Sequence, residues 1–183
     1  DYLLRSNCVR SASIVANAAQ KRADGFVPAY ALSVRCALRS KEWDRALALC
    51  MEAVEVAKDP SAFYRTIVAL KARDGDIDQA LRDALEFLHA TFPEQIAWGE
   101  QLGKVYFFSG ETGRALSVLG PLVRANIQRT HVTSVLVGAE TARVEGRLAD
   151  AIALLESARS TTPDRVSLLN NLAYTLAQSD HPT

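Results

Sequence analysis

The residues best placed to do chemistry in this sequence are the acids of the stretch DGDID, Asp74 to Asp78, the three histidines and the three cysteines. An acidic loop that holds calcium needs a Gly after its third acid and a bidentate Glu at its twelfth place. Here Gly75 comes too early and the twelfth residue is Leu85, so the stretch reads as a solvated turn between helices, its acids favoured by the amino end of the helix that follows. His89, His131 and His181 stand far apart, and none has a His, Cys or carboxylate at ligand spacing, so no metal site is expected. Cys8, Cys36 and Cys50 are an odd number at no metal-ligand spacing, and the last two fall on apolar helix faces, as small buried hydrophobes do. No G-x-S-x-G, P-loop, dinucleotide fingerprint or H-E-x-x-H occurs, and nothing sets a base beside a Ser or Cys. The chemistry these residues imply is therefore not catalytic, and no cofactor is called for.

The elements that carry these residues recur. In Ile96 to Asn126, Leu102, Val105 and Tyr106 keep helical spacing, Gly110 interrupts, and Ala115, Leu116, Leu119 and Leu122 resume the helical period. Ala46, Ala80, Ala115 and Ala151, each followed by Leu or Ile, stand at steps of 34, 35 and 36 residues, a period that means an array of helical hairpins. Twelve residues before each lies Val34, Val68, Gly103 or Ala139, with Ala173 in the same place of a fifth first helix. Small or β-branched side chains at these places let antiparallel helices cross closely. Helices of about 13 residues are marginal alone, so their stability must come from their neighbours.

The array divides into repeats at 27–60, 61–95, 96–131 and 132–165, then a lone first helix at 166–178 and a tail at 179–183. Turns are expected at Ser40-Lys41, Asp74-Gly75, Gly110 and Glu145-Gly146. Residues 1–26 hold a further helix with apolar positions at Leu4, Cys8, Ala12, Val15 and Ala19 and a stop at Gly25; it suits the second helix of an upstream unit, but the spacing assigns it no place in the register. Pro121 lies inside a second helix, where it cannot donate to the Ser117 carbonyl, and a kink or early end is expected there.

Leu102-Gly103-x-x-Tyr106, Gly110, Ala115 and Leu119, followed by Ala151, Ala158, Pro163 and Leu172-Ala173, resemble the tetratricopeptide repeat (TPR) family, and the resemblance covers about Val27 to Gln178. Lys71, where the family usually has a large apolar residue, Ser33 and Gly138 in place of Leu, and Thr112 in place of an aromatic or Leu depart from the pattern. What the resemblance implies is an all-α, right-handed superhelix of antiparallel helix pairs, its first helices lining a concave groove that binds peptides or protein partners. The groove-facing stripe at i, i+4 and i+8 would carry Ala31, Arg35 and Arg39, then Arg65, Ala69 and Arg73, then Glu100, Lys104 and Phe108, then Leu136, Glu140 and Val144, and last Asn170, Tyr174 and Gln178.

Basic Arg35, Arg39, Arg65, Arg73 and Lys104 would draw an acidic segment, Phe108 or its neighbour Phe107 would anchor an apolar side chain, and Asn170, Asn171 and Tyr174 would grip a backbone, with Glu140 between. The two-carboxylate clamp of chaperone-binding TPR proteins is not matched, because its places carry Ala31, Arg35, Thr66, Ala97 and Gln101.

The function expected is a non-catalytic interaction scaffold. An alternative is structural, with self-assembly or oligomerisation through the unpaired carboxyl-terminal helix, whose LLNNLAYTLA is apolar on more than one face. The period also admits the pentatricopeptide family, which reads RNA. Against that, and against binding to any nucleic acid or anionic membrane, 21 basic residues balance 21 acidic ones. Of the 183 residues 49% are hydrophobic and 7% aromatic, which suits packed helices, and no apolar run approaches the roughly 20 residues a bilayer span needs, so no membrane insertion is expected. Asp1 in place of an initiator Met, and an end just after a helix, give the expectation of a piece of a longer protein. Arg in excess of Lys, abundant Ala and the string NNLAYTLA look bacterial, similar to TPR proteins of export and polysaccharide-secretion systems; a cytoplasmic place is expected, with the periplasm left open.

Overall fold

The computed structural model describes residues 9–22 and 26–180. Leu4, Cys8, Gly25 and His181 lie outside them. Among the described residues there are ten helices and no strand: α1 (Val9–Arg22), α2 (Val27–Arg39), α3 (Trp43–Val56), α4 (Ser61–Asp74), α5 (Gln79–Thr91), α6 (Ile96–Phe108), α7 (Thr112–Asn126), α8 (Val132–Val144), α9 (Leu148–Thr161) and α10 (Val166–Asp180). They fall into two compact units, Asp1–Leu88 and His89–Thr183. No helix is long and apolar enough to cross a membrane.

One device makes every turn within a hairpin. A residue one or two places past the end of the first helix is left-handed: Lys41 at φ 60°, Gly75 at 72°, Gly110 at 78° and Gly146 at 73°. The next N–H reaches back to a carbonyl of the last helical turn, Glu42 to Ala37 and Asp76 to Lys71, Glu111 to Tyr106 and Arg147 to Ala142. This is the Schellman closure, which satisfies carbonyls a helix end leaves unpaired and which Gly adopts without a Cβ penalty.

In the amino-terminal unit α1 packs on α2, α2 on α3 and α3 on α4, and the Tyr64 and Phe87 rings of α4 and α5 lie 4.6 Å apart. Ala46 is buried with Ala37 and Leu70, as a close crossing requires. Ala12, 34 residues before Ala46, is fully buried against Cys36 and Leu32, as a second helix of an upstream hairpin would be.

In the carboxyl-terminal unit the first helices α6, α8 and α10 lie side by side, and α7 and α9 form the layer behind them. Leu119 of α7 is the centre of this packing. A Cβ on Gly103 of α6 would collide with it, and one on Gly138 of α8 would stand 3.4 Å from the Leu119 Cβ. Gly138 thus departs from the usual Leu because Leu119 already fills that space. Ala115 and Ala151 are fully buried, but Ala80 is only half-buried, and its helix buries Leu81, Ala84, Leu85 and Leu88 instead.

Two expectations need correction. Pro121 does not end its helix, since α7 runs unbroken to Asn126. Pro121 and Ser117 are both exposed, so the carbonyl left without a donor can be met by water. The acids of the DGDID turn are also not merely solvated: Lys71, buried at its apolar place, extends its ammonium to Asp78 at 2.5 Å and Asp76 at 3.2 Å, and Asp78 accepts the Leu81 N–H at 3.0 Å to cap α5.

Candidate protein-binding site

Four basic residues of the amino-terminal unit were expected on one stripe, and the structure leaves them exposed but differently engaged. Arg35 donates to the Ala31 carbonyl one turn earlier at 3.4 Å. Arg39 sits in the last turn of α2, where a cation suits the carbonyl end of the helix. Arg65 lies near Asp59, whose carboxyl is held below its ordinary value by the Ser61 hydroxyl and N–H, with Arg65 a smaller contributor. Arg73 turns to α3: its guanidinium covers the Trp43 ring at 4.3 Å and meets Asp74 at 2.6 Å. Its charge is thus committed to a stacked, paired site rather than held open on the stripe.

The carboxyl-terminal unit presents a more differentiated face. Phe108, at the end of α6, is 66% exposed and meets Phe107 edge to face, with centroids 5.5 Å apart. Lys104, one turn earlier, is half-buried. Glu140 of α8 is gripped by Arg143, whose Nε donates at 2.8 Å and whose Nη2 donates to the other carboxylate oxygen. Hydrogen bonding by Arg143 holds the Glu140 carboxyl below its usual range, against the opposing effect of burial. The same guanidinium lies over the Tyr174 ring of α10 at 5.6 Å, and Tyr174 is 57% exposed with its hydroxyl accepting from Gln178 at 3.2 Å. Glu140, Arg143 and Tyr174 therefore form one polar-aromatic cluster across two neighbouring first helices. Arg143 was missing from the expected stripe, which steps by four, although Glu-x-x-Arg is a helical pairing distance.

Two expected groove residues are used elsewhere. Asn171 is half-buried and donates to the Ser167 carbonyl at 2.8 Å, whereas Asn170 beside it is exposed. Glu100 is 2% exposed and does not line an open face. Its carboxylate accepts the His131 N–H at 2.6 Å and faces His131 Nδ1 at 2.7 Å, so a side chain of α6 closes the amino end of α8. Sequence spacing could not show a histidine–carboxylate contact made across 31 residues.

There are also two open clefts, of about 420 and 400 Å³. The first has Cys36 in its wall beside Ser13 and Arg45, and burial pushes that thiol up despite Arg35, Arg45 and Arg39 nearby. Burial pushes the Cys50 thiol up to about 12. Neither cysteine has the lowered pKa of a nucleophile. The second cleft is rimmed by Thr130, Thr161 and Thr162, whose hydroxyls donate to carbonyls in the last turns of α7 and α9. Among the described residues no group of three His, Cys, Asp or Glu side chains gathers as a metal would need.

No protein-family model and no curated protein matches the sequence. Solved structures do match the fold. The crystal structure of YrrB, a TPR protein with an unusual peptide-binding site, is similar at a TM-score of 0.65 and 15% identity over 92% of this chain and 86% of that one. MamA, residues 41 to end, from Desulfovibrio magneticus RS-1 gives 0.62 at 17% identity, over 86% of this chain and 87% of its own. The carboxyl-terminal part of a TPR repeat-containing protein from Cytophaga hutchinsonii gives 0.63 at 14% identity, over 98% and 70%. At such identities the likeness is one of fold.

Proposed function

We propose that this chain, which has the tetratricopeptide-repeat fold, is a non-catalytic scaffold that holds a peptide or protein segment on the exposed faces of its first helices. The observation that carries the reading is the pair of exposed aromatics Phe108 and Tyr174, on the first helices α6 and α10 that flank α8, with the ordered Glu140–Arg143 pair of α8 between them in the sequence and against Tyr174 in space. Large aromatic side chains beside a fixed guanidinium are what binding hot spots are made of. The peptide-binding site of YrrB, a protein of the same fold, supports the same use. Arg35, Arg39 and Arg65 add positive charge to the first helices of the amino-terminal unit, which favours an acidic segment there.

Selecting a peptide library against the chain and titrating the recovered sequences tests this. Phe108→Ala with Tyr174→Ala is expected to weaken binding by about 30-fold, the effect of a hot-spot loss of about 2 kcal/mol. Arg35→Glu with Arg65→Glu is expected to remove acidic sequences from the selected set. Peptides that bind the two aromatic-deleted positions as tightly as before refute the assignment.

A second reading, self-assembly, is favoured by α10, which leaves Val166, Leu169 and Leu176 exposed on a helix that is otherwise packed on α9.

A further inference from the structure

The first helices α6 and α8 lie side by side within the array, and each is 13 residues long, so their places correspond at a step of 36 residues. Phe108 and Val144 end the two helices and are 66% and 54% exposed. One turn earlier the corresponding places hold Lys104 and Glu140, and in the turn before that Glu100 and Leu136. An exposed apolar row and a charged row thus adjoin on these two helices.

The charges of this face do not balance one another. Both acids are already engaged: Glu100 is 2% exposed and closes the amino end of α8 through His131, and Glu140 is held by Arg143. Arg143 is held in turn between Glu140 and the Tyr174 ring. Lys104 is half-buried, and among the described residues it has no ionic or hydrogen-bonding partner. A cation partly withdrawn from water and left unpaired favours an anion that can reach it, and exposed Phe108 and Val144 one turn away favour an apolar group joined to that anion.

Resting on the reading of these faces as peptide-binding, we infer that α6 and α8 select a segment in which an Asp or Glu stands two residues from a large apolar side chain. The carboxylate meets the Lys104 ammonium, and the apolar side chain lies against Phe108 and Val144. Lys104 and Phe108 are four residues apart, about 6 Å along a helix. Side chains on one face of an extended chain are about 6.7 Å apart, so a spacing of two makes both contacts at once. The carboxylate is that of a side chain rather than of a chain end. Capture of a chain end uses several convergent backbone donors, whereas the N–H groups of α6 beside Lys104 bond within the helix. The Glu140–Arg143 pair is complete in itself and adds no net charge, so one acid suffices, and a basic residue in its place is repelled by Lys104.

Acetylated, amidated peptides selected from a random library on the 183-residue chain and titrated by fluorescence anisotropy test this. The selected set is expected to carry Asp or Glu two places from Leu, Ile, Phe or Met. Replacing that acid by its amide is expected to weaken binding about fivefold, as the loss of a partly screened ion pair does. Lys104→Met is expected to weaken the acidic peptide by the same factor, to leave the amide peptide unchanged, and to abolish the salt dependence of the difference between them. Lys104→Glu is expected to reverse the preference, so that Lys or Arg takes the place of the acid in the set it selects, a gain that an unfolded variant does not show. Peptides that lose affinity on Phe108→Ala with Tyr174→Ala, yet carry no acid at that spacing or respond to its removal equally with and without Lys104, would overturn the Lys104 assignment and leave the aromatic face standing. Peptides bound only with a free carboxyl terminus would overturn it too. A chain that selects no peptide would overturn both readings.

Discussion

The second hairpin, α4 and α5, and the third, α6 and α7, solve the same packing problem with different materials. In the third the crossing is dry and crowded, with Gly103 admitting Leu119 and Ala115 fully buried. In the second Ala80 is half-buried, and a buried Lys71 takes the place of an apolar side chain and spends its charge on Asp76 and Asp78 in the turn. The hairpin geometry survives both because the Schellman turn and the spacing set it, while the filling of the interior is free to vary. What the difference teaches is that a repeat position fixes where a side chain points and leaves open what holds it there.

The contrast is sharpest at the two alanines. Ala115→Leu is expected to overpack the third hairpin and cost about 1–3 kcal/mol, read as a lowered denaturation midpoint. Ala80→Leu is expected to stay within about 0.5 kcal/mol, as a part-exposed substitution does. Equal costs at the two sites would erase the distinction. Next in size, Glu100→Ala is expected to cost about 0.5–2 kcal/mol by uncapping α8, and amide exchange should quicken in the first turn of α8 before it does elsewhere.

Lys41 offers a smaller gain. It is the one described residue without glycine's freedom that is held left-handed, and Lys41→Gly is expected to stabilise by about 0.5–1 kcal/mol, the left-handed penalty removed less the added entropy of glycine in the unfolded chain. Gly110→Lys in the third hairpin should lose a like amount, and melting of the two variants checks both signs.

The smallest effect is electrostatic and peculiar to the second hairpin. Burial pushes the Asp78 carboxyl up, but hydrogen bonds from Lys71 and the Leu81 N–H outweigh it, and the net shift is downward. This contribution is complete above the unfolded aspartate value, about 3.9, and is lost as pH falls through the lower folded value. Lys71 is shifted upward, chiefly by its hydrogen bond to Asp78. Its contribution is complete below about 10.4 and is lost as pH rises through the higher folded value. A melting series for Lys71→Met should therefore differ from the unaltered chain by a constant amount between these limits and converge on it at both extremes. A difference that does not change with pH would show that Lys71 matters only as bulk.

Much of the fold was legible because it is local. Spacing by three and four, left-handed glycines and alanines at a constant step are properties of segments, and the structure has helices where they fall. Which side chains of the expected stripe stay exposed was legible in part. Phe108 and Tyr174 project as a helical stripe requires, whereas Arg73 is drawn to Trp43 and Glu100 to His131, neither of which lies on its own helix.

By itself the sequence determined that this protein is a series of antiparallel hairpins, because turn chemistry and helical period need no partner to be read. Only the tertiary structure decided that Arg73 and Glu100 are engaged away from an open face and that α7 passes through Pro121. Each of these depends on what lies across a gap of many residues, where burial and hydrogen bonding are set by neighbours that spacing along the chain does not identify.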